Sequence, residues 1–153
     1  MFGVVGRNVL VSKALSATVT GLMGEYIAAA AILSIGTHKV ALAQQDRIDL
    51  VAFTTDHFLR VQVKTATLHE RQYRNASYQF QLAHGNKIKT IPNEKDFDIY
   101  ALVAGNSQHR RCVFMPTKSV SQRTKRMSPS RFTVEAEIES WHKAVNYVLE
   151  IRR

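Results

Sequence analysis

The sequence predicts a mixed α/β domain, on three observations. An alanine-rich apolar segment ends at a glycine near residue 36, six short runs of β-type residues fill the middle, and an apolar stripe of helical period closes the chain. The 153 residues suit one domain spanning 1–153, and 45% hydrophobic residues suffice for a core.

The first helix is expected over Val19 to Ile35, with Gly36 in the C-terminal position that favours glycine. Its middle, Glu25-Tyr26-Ile27 followed by Ala28 to Ala31, is apolar nearly all round. Such a helix needs cover on several sides, from the sheet and a further element or from a second subunit. Glu25, the one acid in it, therefore needs a reason. Residues 1 to about 17 are apolar and basic without clear period and read as an arm or short strand. The β-type runs are Lys39 to Leu42, Ile48 to Thr54, Phe58 to Thr65, Ser77 to Leu82, Phe97 to Val103 and Cys112 to Met115. Thr117 to Ser130, rich in Ser, Lys, Arg and Gln, reads as a loop. The last helix, about 134–150, carries Val134, Ile138, Trp141, Val145 and Val148 on one stripe, with Glu135, Glu137 and Glu139 near its positive end.

Charge narrows the partners. Twenty-one Lys and Arg against twelve Asp and Glu give +9, which favours a polyanion such as nucleic acid or an anionic surface. The single Cys112 excludes a disulfide framework, and its spacing from His109 lacks the second pair a structural zinc needs. No apolar run reaches the ~18 residues of a membrane span. No membrane partner is expected, and the location expected is the cytoplasm.

The chemistry concentrates in two runs, Ile48-Asp49-Leu50-Val51-Ala52-Phe53 and Phe58-Leu59-Arg60-Val61-Gln62-Val63-Lys64. A hairpin closed by two residues, Thr55-Asp56, or four, Thr54 to His57, pairs positions whose numbers sum to 111. Asp49 then lies opposite Gln62, with Cβ atoms ~5 Å apart. One face gathers Asp49, Arg60, Gln62 and Lys64; the other carries Ile48, Leu50, Ala52, Leu59, Val61 and Val63. An odd loop would break this register. An acid, an amide and a lysine on one surface suit phosphodiester hydrolysis. Asp49 offers a hard oxygen to Mg²⁺, with Mn²⁺ able to substitute. Lys64 can orient water or offset charge on the phosphate.

Glu25 in a helix, Asp49 in Ile-Asp-Leu-Val and Gln62-Val63-Lys64 on the next strand resemble the PD-(D/E)XK nuclease superfamily. Gln62 in place of the usual acid is similar to a smaller branch that includes a tetrameric group I intron homing endonuclease. The resemblance implies a restriction-endonuclease-like core, a mixed central sheet flanked by helices. It implies that Asp49 and Gln62 bind metal, that Lys64 assists the nucleophile, and that Glu25 supports the site and the metal. The neutral Gln62 removes one negative charge, for which Glu25 or Asp46 would compensate. Asp46 otherwise reads as a turn residue, Asp98 as a strand-end cap, and Arg60 either as a phosphate contact or as a cover for apolar surface.

Residues 104–131 hold Arg110, Arg111, Lys118, Arg123, Lys125, Arg126 and Arg131 and no acid, which suits contact with the DNA backbone. The expected function is a Mg²⁺-dependent endonuclease making site-specific, homing-type cuts in duplex DNA. A Holliday-junction resolvase and an inactive DNA-binding module on a nuclease core are the alternatives. Cutting both strands requires a homodimer or homotetramer, with the Ala28 to Ala31 helix and the Val134 to Val148 stripe as candidate interfaces.

Overall fold

A computed structural model describes residues 8–36, 39–66, 68–71, 74–105 and 109–153. Helix α1 (Asn8–Ser34) leads into strands β1 (Lys39–Gln45), β2 (Ile48–Phe53), β3 (Phe58–Thr65), β4 (Leu68–Arg71), β5 (Arg74–Gln81), β6 (Ile99–Gly105), β7 (Arg110–Pro116) and β8 (Thr124–Met127). Helix α2 (Val134–Ile151) ends the chain.

The strands form two sheets, a five-stranded one in the order β1-β2-β3-β6-β7 and a three-stranded one in the order β4-β5-β8. In the larger sheet β3 and β6 run parallel while the other neighbours are antiparallel, so the predicted mixed α/β class is observed. Strand β6, between β3 and β7, is buried on both faces, and its alternate residues feed two cores. Ile99, Ala101 and Val103 join Ala28, Ile32, Trp141 and Ala144 beneath the helices. Tyr100, Leu102 and Ala104 join Tyr78, Phe80 and Met127 beneath the smaller sheet. Each fully buried Leu or Val contributes about 1.5–3 kcal/mol, so both faces hold β6 in place.

The hairpin follows the even-loop register. Leu50–Val61, Val51–Arg60, Ala52–Leu59 and Phe53–Phe58 are partners, and each pair sums to 111. The loop is therefore Thr54 to His57, closed by the bond from Thr54 N–H to the His57 carbonyl. Leu50, Ala52, Leu59 and Val61 are fully buried under the helices, with Val63 packed against them. Ile48 departs from this row and packs on the opposite core. The β1–β2 ladder slips between Leu42 and Gln45, and Arg47 takes a left-handed turn (φ 66°), so alternation resets just before Asp49.

Other expectations change. α1 begins at Asn8, so residues 8–17 are helical rather than an arm or strand; residues 1–7 lie outside the described residues. Gly36 ends the helix as expected, at φ +103°. By length and composition, Ala17–Ser34 meets the requirement for a membrane span, contrary to expectation. Its Gly24, Ala28 and Ile32 instead pack toward the sheet. Thr117–Ser130 is not one loop, because it contains β8 between two 3₁₀ turns. The strand needs β5, more than forty residues earlier, as its partner, which local composition does not reveal.

The α2 stripe is also displaced. Trp141 and Val148 are buried as expected, but Val134 and Ile138 are exposed and Glu137 is buried. The reason lies in β7, an edge strand whose free N–H groups α2 covers. Glu137 Oε2 accepts from the Cys112 N–H at 2.7 Å, and Ser140 Oγ accepts from the Phe114 N–H at 3.0 Å. Thr133 caps the helix by accepting from the Ala136 N–H at 3.1 Å.

Candidate active site

The β2–β3 partner positions stop at Leu50–Val61, one residue short of Asp49. There the Asp49 side chain replaces a backbone acceptor, taking the Val63 N–H on Oδ2 at 2.7 Å. One carboxylate oxygen is thereby fixed to β3, beside the space where the two strands part.

That space is a cleft of about 530 Å³. Asp49, Gln62 and Lys64 line it from the sheet, and Glu25 lines it from α1 with Ala17, Thr20 and Gly21. The four residues fall on one helix face by their spacing of three, four and eight. Gly24 allows this approach, because a Cβ there would stand 1.9 Å from Thr65 Oγ1. A side chain there would have to displace the Thr65 hydroxyl, and its Cβ would still stand 3.2 Å from Thr65 Cβ. All four residues predicted for the chemistry thus meet in one cleft.

The electrostatics of the cleft are unbalanced. Burial raises the Asp49 carboxyl above its ordinary range, against the opposing pull of the Val63 N–H and the Lys64 charge. Glu25 is raised as well, by burial and then by the Asp49 charge. Lys64 is lowered by burial, with Asp49 opposing the shift and Lys89 adding to it. Gln62 Oε1 is buried without a hydrogen-bond partner, although such acceptors normally find one. An orphaned amide oxygen beside a half-engaged carboxylate is a donor pair that fits a hard divalent cation. Among the described residues no three His, Cys, Asp or Glu side chains form a ready metal cage. A cation here would therefore rest on Asp49, Gln62 Oε1 and Glu25, completed by backbone oxygens and water.

Two residues of this region were missed in the sequence. Gln79 of β5 lines the same cleft, and Lys89 lies close enough to act on Lys64. Gln79 sits on the outer side of a legible alternation, but nothing local placed β5 beside β3.

Arg60 shares the face of Gln62 and Lys64, but its donors are taken up at the other end of the strand. Its guanidinium bonds both Asp98 oxygens and the carbonyls of Glu94 and Lys95. Asp98 also accepts the Arg60 N–H and pairs with Arg152 at 2.9 Å. The expected phosphate contact by Arg60 is corrected to a structural one, and Asp98 is the strand-end cap the sequence indicated. Asp46 is exposed in the β1–β2 turn and does not line the cleft.

The basic segment does not form one surface. Arg110 and Arg111 flank a groove under α1, Lys118 lies near Asp98, and Lys125 turns toward a groove between β7 and α2. Arg123 is exposed, and its carbonyl accepts from the Leu82 N–H. Only Arg126 is linked to a cleft residue, its Nε donating to Gln79 Oε1 at 3.3 Å. Alternation along β7 and β8 sends successive cations to opposite faces. Cys112 is fully buried, and burial pushes its thiol well up, so it is no nucleophile.

No curated protein matches the chain. Among solved structures, that of the bacterial homing endonuclease I-Ssp6803I is similar, with a TM-score of 0.69 at 16% identity over 90% of this chain and 99% of that one. At that identity the likeness speaks for the fold, the restriction-endonuclease-like core expected from the motif. The family model for PD-(D/E)XK endonuclease matches residues 18–148, which takes in Glu25, Asp49, Gln62 and Lys64, and by this match the chain belongs to the PD-(D/E)XK endonuclease family.

Proposed function

We propose that this nuclease is a Mg²⁺-dependent enzyme making site-specific cuts in duplex DNA, in the manner of a homing endonuclease. The observation that carries the reading is the orphaned Gln62 Oε1 beside Asp49, in the cleft that also holds Lys64. When bound, the cation would supply charge to the scissile phosphate and make water easier to deprotonate. Asp49 is held for its role by the Val63 N–H, which fixes one of its two oxygens. Lys64, half-buried beside Asp49, orients the attacking water and offsets negative charge that develops on the phosphate. Glu25 adds the negative charge that Gln62 lacks.

A second copy of the chain completes the enzyme in this proposal, as a homodimer or homotetramer. Val19, Leu22, Met23, Tyr26 and Leu33 form an exposed apolar row along the outer side of α1. The Ala28 to Ala31 segment expected at the interface is mostly used inside, since Ala28, Ala29 and Ala31 pack against the helix-side core. Sedimentation equilibrium at micromolar concentration is expected to give at least twice the 17.3 kDa chain mass; a monomer overturns this part.

Asp49→Ala and Lys64→Ala are each expected to lower plasmid cleavage in Mg²⁺ by about 10³-fold. Duplex binding in EDTA should stay within about threefold. Parental cleavage by either variant overturns the site. Symmetric nicking of a four-way junction with intact plasmid would instead favour a resolvase, and binding without Mg²⁺-dependent cutting would favour an inactive module.

A further inference from the structure

The smaller sheet has two unlike faces. Tyr78, Phe80 and Met127 point inward and are buried, with Phe132 against both rings at centroid distances of 5.2 and 6.0 Å. By alternation the outer face of β5 and β8 presents Asn75, Ser77, Gln79, Gln81, Thr124 and Arg126. All six are polar and none is acidic. The chain carries no Asp or Glu at all in residues 71–93 or 99–134, which contain both strands. A merely solvated face gains nothing from excluding carboxylates, whereas a face laid on a polyanion does.

We infer that the outer face of β5 and of its edge neighbour β8 reads base edges in the major groove of duplex DNA beside the cleft, with Gln79, Gln81 and Arg126 as the specificity-determining residues. The inference rests on the nuclease reading and adds to it the surface that selects the sequence. Position favours it: Gln79 lines the cleft, and Gln81 and Arg126 lie next to it on the same face of the sheet. Chemistry favours it too, since a Gln amide matches the adenine N6/N7 edge and an Arg guanidinium the guanine O6/N7 edge. The groups are held in advance of binding. Arg126 Nε is fixed by Gln79 Oε1 at 3.3 Å, and Gln81 Oε1 accepts from Thr124 Oγ1 at 3.1 Å. Residues two apart on a strand are ~6.8 Å apart, about two base-pair rises, so Gln79 and Gln81 suit base pairs two steps apart.

The test is selection of bound duplexes from a randomised library in EDTA, with the parent, Gln81→Ala and Arg126→Ala. The parent is expected to enrich a defined sequence, and each variant to flatten that preference at its own position. Affinity for the preferred duplex should fall roughly 10- to 100-fold, while affinity for random duplex stays within about threefold. Both positions are exposed, and unchanged melting temperatures would confirm intact folds. Gln81→Glu, which keeps the side-chain shape, should lose or change the preferred base. Equal losses on both duplexes, or no loss on either, overturn the inference. A parent that cuts duplex DNA without base preference overturns it, together with the site-specific part of the proposed function, while leaving the metal-dependent nuclease reading intact. A parent that neither binds nor cuts DNA overturns both.

Discussion

The two ends of β3 carry similar side chains on the same face and put them to opposite uses. At one end Arg60 meets Asp98, Arg152 and a row of carbonyls, and both Asp98 oxygens are engaged. At the other, Lys64 and Asp49 share a cleft in which the Gln62 oxygen has no partner and both carboxyls are raised. In a saturated cluster every desolvated charge finds its partners within the protein, so removing one of them is costly. An unsaturated one costs stability and is retained where a ligand completes it. The charges themselves do not distinguish the two ends; their unmet hydrogen-bonding capacity does.

Removing Asp98 gives the sharpest attack on this comparison. Asp98→Ala leaves the Arg60 backbone and both guanidinium groups without their carboxylate, and is expected to cost about 3 kcal/mol. For a chain of this length that lowers the melting temperature by about 6–12 °C. Cleavage at low temperature should survive. Lost cleavage with an unchanged melting temperature would place function at the wrong end of the strand.

Gln62→Glu tests the other end with a smaller effect. The added carboxylate restores the charge the motif usually carries, and should lower the Mg²⁺ concentration for half-maximal cleavage roughly tenfold. No change in the Mg²⁺ requirement would remove Gln62 from the cation's surroundings.

Asp49→Asn gives the smallest and most pointed readout, metal-free stability against pH. Because the folded-state pKa of Asp49 is raised, its ionised form weakens the fold at neutral pH. Asn removes that charge and can still accept from the Val63 N–H. The variant should therefore melt higher than the parent at pH 7 in EDTA. The difference should vanish as pH falls through the folded pKa toward the ordinary carboxylate value, where the parent's carboxyl is protonated. Adding Mg²⁺ should raise the melting temperature of the parent more than that of the variant. A variant that melts lower at pH 7 would show that the cleft is not strained.

The β2–β3 hairpin was legible because its information is local. Alternation decides which residues share a face, and an even loop decides which residues oppose each other. Glu25 was legible as the only acid in an apolar helix. Arg60 was not, because its partners at residues 94–98 lie more than thirty residues away. The same holds for Glu137, which reads as a charge at a helix start and serves as the acceptor for an edge strand 25 residues earlier. Gln79 and β8 are further cases, since a strand rich in Ser, Lys, Arg and Gln looks like a loop until its neighbour is known.

The sequence by itself determined the class of the domain and the partition of the hairpin into an apolar face and a chemical face, and the resemblance to a nuclease motif singled out Glu25, Asp49, Gln62 and Lys64. Periodicity and spacing act over a few residues, and the first two features need nothing longer. Tertiary structure alone decided that the second sheet stands beside the cleft, that α1 approaches β3 through Gly24, and that Arg60 is saturated while Gln62 is not. Those outcomes depend on which distant groups satisfy one another's hydrogen bonds once water is removed, and pairing of that kind leaves no periodic trace in the chain.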